Sequence, residues 1–157
     1  MYSALLTVHS WLRWLVLLAA LLVLVRAIAG VTQRRPWTPA DDSAAKWFGI
    51  SLDVQMLIGL IIYFFLSPFT MSAWSDIGGA MRDATTRFIV IEHQFGMIIA
   101  VALAHIGRSR IRKSHEGARR HRLALIFFGL AVVIVVASIP RPGRPAGREL
   151  FRGLGLG

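Results

Sequence analysis

Seven ionisable side chains sit inside, or at the mouth of, long apolar runs: His9, Arg13, Asp53, Glu92, His93, His105 and His121. Polar groups at such positions are costly in hydrocarbon, face a bundle interior and find partners. His9 lies about one turn inside the first run, and His93 one to two turns inside the third, which enters from the same side. Two imidazoles at one level on different helices are what a bis-histidine haem b requires, with the porphyrin wedged between them. Arg13, one turn from His9, and Arg87, about two turns outward from His93, are then candidates to pair with haem propionates. His105 and His121 match in depth at the inner end, on the third and fourth helices, and could hold a second haem. The twelve residues from His93 to His105 amount to a rotation of about 120°, so those two rings point to different neighbours.

Each residue also has a plainer reading. A membrane histidine can simply hydrogen-bond the next helix, and His121, within RRHR, can be an interfacial base. Glu92 lies at the level of Arg13, where a buried ion pair or a proton relay beside a quinone are the two options. Asp53 can be protonated, pair with His105 or His121, or carry protons. Gln55 shares a stripe with Ser51 and Gly59 that suits helix packing. Gly96, Ala100, Ala104 and Gly107 follow His93 on its own face, which permits close helix contact or the approach of a flat macrocycle.

The elements that must position these groups are four spans at about 5–29, 47–66, 88–107 and 123–139, each of the roughly 20-residue length a bilayer demands. With 157 residues, 55% of them hydrophobic, the chain reads as one transmembrane domain, residues 1–157, an all-α integral membrane four-helix bundle with a basic tail over 140–157. Ala27-Ile28-Ala29 resembles a signal-peptide cleavage site, but no basic segment precedes the run and Arg13 interrupts it, so a retained helix is expected. Pro140 stops the last span. The connection over 67–87 contains MSAWSDIGGAMRDA, which suggests a short interfacial helix that Gly78-Gly79 weakens.

The chain contains no cysteine and carries a formal net charge of +10. Disulfides, thiolate metal sites and thiol catalysis are therefore excluded. The basic residues lie between the apolar runs, where lipid headgroups and the positive-inside rule account for them, so nucleic acid is not the expected partner. GRSRIRKSHEGARRHR, between the third and fourth spans, holds the densest cluster, and Arg34, Arg35 and Lys46 lie on the same side. Both termini are then expected on the outer, periplasmic side of a bacterial inner membrane, although Arg141, Arg144, Arg148 and Arg152 in the tail argue the other way. No nucleotide loop, zinc signature or nucleophile elbow is present.

HSWLRW (9–14), LIGLIIYFFLSP (57–68), Arg87 with Glu92-His93, RHR before the last span, SIPRP and GRELFR together resemble small four-helix bacterial membrane proteins of the cytochrome b-like kind. The likeness covers nearly the whole chain, departing where Arg141 replaces the tryptophan of an IPWP-type ending. It implies haem-linked electron transfer in a respiratory or photosynthetic membrane, with His9 and His93 at the ligand positions, and a redox subunit rather than a stand-alone enzyme. The competing expectation is a cofactor-free accessory subunit packed beside larger membrane partners or copies of itself. A small transporter using Asp53 and Glu92 is a third, disfavoured because no inverted repeat is evident.

Overall fold

The computed structural model describes residues 1–143 and 146–149, so Arg144 and Arg152 of the tail lie outside the described residues. The order is α1 (Tyr2–Thr32), α2 (Pro39–Ile61), a π-helical segment (Ile62–Leu66), α3 (Pro68–Ser75), α4 (Ile77–Arg82), α5 (Ala84–Arg87), a second π-helical segment (Phe88–Glu92), α6 (His93–Lys113) and α7 (Gly117–Ala137). There is no strand among the described residues. Four helical stretches are long and apolar enough to cross a membrane: Tyr2–Thr32, Pro39–Leu66, Ala84–Lys113 and Gly117–Ala137. The chain is an all-helical membrane bundle.

The second span begins well before its apolar run because polar chemistry starts the helix. Thr38 caps α2, accepting from the Asp41 backbone N–H at 3.4 Å, and the Asp41 carboxylate accepts from the Thr38 backbone N–H at 2.8 Å. Pro39 occupies the first turn, where its missing N–H costs nothing. Asp41 is itself buried and receives Arg26 of α1 at 2.8 Å and Arg35 of the connecting turn at 3.3 Å. The turn passes through Arg34 at φ 51°, a left-handed conformation that reverses the chain in a few residues. At the opposite end, 67–87 is broken into short helices capped by Ser67, Asp76 and Asp83. The interfacial helix expected there is therefore interrupted at Asp76, just before Gly78-Gly79.

Helix α1 packs on α2 and α7, and α6 packs on the same two. So α1 and α6 face one another across the diagonal of the bundle. Small residues let the neighbours close: Ala20, Ala27, Ala44, Ala100, Ala104, Ala124 and Ala131 are all buried around Phe48 and Phe128. Those two rings meet edge to face at 5.5 Å. The stripe after His93 is occupied by α7. A Cβ on Gly96 would lie 2.2 Å from Ser138 Oγ, and one on Gly107 would lie 2.4 Å from Phe127 Cβ. Large apolar side chains such as Leu18, Leu57, Phe95 and Val133 point outward, as a lipid-facing surface requires.

Candidate functional site

His9 leaves α1 toward the bundle centre beside α2, where Gly59 makes room for it: a Cβ there would stand 3.1 Å from His9 Cε1. Gln55, one turn earlier on α2, donates from Nε2 to the His9 carbonyl at 2.9 Å and fixes the two helices at this level. Across the diagonal, His93 opens α6. Its Nδ1 lies 2.8 Å from the carbonyl oxygen of Ser138, at the end of α7. A carbonyl only accepts, so Nδ1 carries the hydrogen and the neutral ring keeps its lone pair on Nε2. That tautomer is the one a metal-ligating imidazole adopts when a backbone carbonyl orients it.

The two rings meet with centroids 6.4 Å apart and planes at 73°. His9 Nδ1 is buried with no hydrogen-bond partner among the described residues. Both rings line a cavity of about 110 Å³, with Arg13, Tyr63, Met97 and Arg148 among its other walls. They also border a cleft of about 20 Å³ between α2 and α6. Arg13 is 9% exposed in its helix and stacks over Trp14 at 5.4 Å, and Arg148 lies over Phe69 at 5.8 Å. The cavity thus brings together two imidazoles and two guanidinium groups, in largely apolar surroundings.

The spacing of the two rings, though not the size of the void, suits two imidazoles on one metal. Two imidazole nitrogens on one metal, each at a bond length of about 2.0–2.1 Å, set ring centroids roughly 6–6.5 Å apart, and the observed separation lies in that window. The void itself is small. An engineered cavity of about 150 Å³ takes a benzene ring, so a porphyrin would have to displace wall side chains such as Met97 and Phe88 toward lipid.

The other candidate residues stand elsewhere. Arg87 is bound to Glu92 Oε1 at 2.9 Å and to the Met81 carbonyl at 3.1 Å, away from the cavity. Glu92 is thereby paired with Arg87 rather than with Arg13. The π-helical segment Phe88–Glu92 explains both departures. One residue inserted into the helix rotates everything before it by about 100° relative to His93. A helical wheel counted back from His93 through an unbroken helix therefore misplaces Arg87. Tyr63 braces this segment, donating to the Val90 carbonyl at 3.1 Å.

His105 and His121 are not brought together. His105 Nε2 lies 2.7 Å from Asp53 Oδ1, on the exposed side of α2 and α6. His121 is fully buried against Trp37, with ring centroids 4.9 Å apart, and against Gly30 of α1. Each ring has a neighbour of its own, and His105 and His121 form no second ligand pair at the basic end of the bundle. Residues that sequence reasoning left without a role are Arg148, Tyr63 and the Ser138 carbonyl. Arg148 lay inside a noticed motif, GRELFR, but nothing local indicated that the tail returns to the bundle.

Gly96 offers a handle on the His93 tether. In Gly96→Ala the new Cβ would collide with Ser138 Oγ and shift the carbonyl that orients His93. Should His9 and His93 hold a haem, the expected outcome is less haem bound per chain in Gly96→Ala and recovery in Gly96→Ala/Ser138→Ala. No recovery would mean that Gly96 acts only through helix packing. Comparison with protein families, with curated proteins and with solved structures finds no match.

Proposed function

We propose that this chain is a multi-pass electron-transfer protein or subunit of a bacterial inner membrane, holding one haem b between His9 and His93. The observation that carries the reading is the meeting of these rings across the bundle diagonal at 6.4 Å, with His93 tethered through Nδ1. His9 and His93 would hold the haem iron through their unprotonated ring nitrogens. Arg13 and Arg148 would neutralise the two propionates, a charge-assisted contact that is strong in apolar surroundings. Bound there, haem supplies one-electron redox chemistry at a potential set by its axial ligands and burial. The chain's own contribution is to exclude water and to hold the rings near mutual perpendicularity.

Gly59 and Gln55 keep His9 in place, and the π-helical segment aims His93 inward. Quinol and neighbouring membrane subunits are the electron-transfer partners we infer. We place the basic end of the bundle in the cytoplasm and the termini outside, by the positive-inside rule. A reduced-minus-oxidised absorbance spectrum of the purified protein tests the reading. Sharp b-type bands are expected, and a flat spectrum from haem-replete cells would leave the cofactor-free accessory subunit in its place.

A further inference from the structure

A second feature lies at the basic end of the bundle, independent of the histidine pair. Between α2 and α6 an open cleft of about 720 Å³ is lined by Lys46, Gly49 and Asp53 on one side and His105, Arg108 and Arg112 on the other, with Lys113 at its rim. Four cations therefore converge on one concavity. Its single carboxylate, Asp53, is turned onto His105 at 2.7 Å. Arg108 bridges the two helices at the mouth, bonding the Asp42 carbonyl at 3.2 Å and its carboxylate at 3.4 Å. Lys46, Arg112 and Lys113 make no ion pair among the described residues. Gly49 faces open space within the cleft, since a Cβ there would meet nothing within 4 Å.

We propose that this cleft binds a phosphate group, carried either by the headgroup of an anionic phospholipid or by a soluble phosphate. Three of the four cations, Lys46, Arg112 and Lys113, have no carboxylate partner among the described residues, and converging Lys and Arg side chains are the chemistry that recognises phosphate oxygens. Depth favours the lipid. Arg112 and Lys113 end α6 and Lys46 directly precedes the apolar run of α2, the level at which headgroups lie. Leu57, one turn beyond Asp53 on α2, and Ile98, about two turns beyond His105 on α6, are both exposed and continue as an apolar wall. A headgroup in the cleft would also cover the Asp53–His105 pair, which otherwise faces hydrocarbon at a cost.

The test uses full-length protein in phosphatidylcholine nanodiscs doped with phosphatidylglycerol, with retained lipid counted by native mass spectrometry. Wild type should retain phosphatidylglycerol preferentially. Lys46→Gln/Arg112→Gln/Lys113→Gln should lose that preference by on the order of tenfold. Arg34→Gln/Arg119→Gln/Arg122→Gln removes equal charge from exposed positions at the same end and should keep it. Gly49→Leu leaves every charge in place but fills the cleft, and should lose the preference too. Displacement of the lipid by millimolar inorganic phosphate would assign the site to soluble phosphate. Equal loss in both triple variants would reduce the cleft to bulk positive charge and overturn the proposal. So would unchanged retention in the cleft triple or, should that variant not fold, in Gly49→Leu.

Discussion

His9→Ala and His93→Ala are each expected to lower the haem-to-protein ratio at least about tenfold, since losing even an outer-shell partner of a metal ligand typically costs 10–100-fold in affinity. The pyridine haemochrome assay reads this directly. The two rings come from helices on opposite corners of the bundle, so neither can be replaced by a neighbour on its own helix. His105→Ala is the matched control: its ring is bound to Asp53 outside the cavity, and haem content should not change. Thermal unfolding of the apoproteins separates ligand loss from misfolding, because alanine at His9 removes only a side chain whose Nδ1 has no partner. Free imidazole added to His9→Gly should restore part of the bound haem by entering the space left behind. Undiminished haem in both alanine variants would remove the pair from the account.

The largest effect on stability is expected at the other end of the molecule. Asp41 is buried, and Arg26, Arg35 and Thr38 all bond it. Asp41→Ala deletes half of a capping box and leaves two partly buried guanidinium groups without their shared carboxylate. Breaking a buried pair from one side costs about 3–5 kcal/mol. The 27% and 30% exposure of Arg26 and Arg35 brings the expectation to about 3 kcal/mol, cap included. Asp41→Asn keeps an oxygen for the Thr38 N–H and should lose less. Both can be measured by denaturant titration in mixed micelles. Haem content should stay at the wild-type level, since Arg26, Asp41's partner, lies 17 residues along α1 from His9, a rise of about 25 Å. A loss of stability below about 1 kcal/mol would mean that water or lipid already screens the cluster.

Span number and the diagonal meeting of His9 with His93 were legible because both rest on periodicity and depth. Apolar runs of membrane length define the helices, and a rise of about 1.5 Å per residue places two histidines at one level. Legibility failed where the helix geometry itself changes. The π-helical segment before His93 turns Arg87 and Glu92 onto each other, and no residue type within Phe88–Glu92 announces it. Arg148 could not be placed either, because the contact of the tail with Phe69 of α3 is a tertiary fact with no local signature. The pairing of Asp53 with His105 was one of several options that depth alone allowed. Choosing among them needs the relative rotation of α2 and α6, which their packing sets. The same applies to the stripe from Gly96 to Gly107: spacing gave a close approach, and only the fold assigns it to α7 rather than to a macrocycle.

The most direct test of the central claim is electron paramagnetic resonance of the oxidised protein titrated with haemin. One equivalent should bind per chain, giving a low-spin ferric signal of the strongly anisotropic kind that nearly perpendicular imidazole planes produce, in line with the 73° between these rings. A high-spin signal, a stoichiometry of two, or free haemin alone would contradict a single site held by His9 and His93.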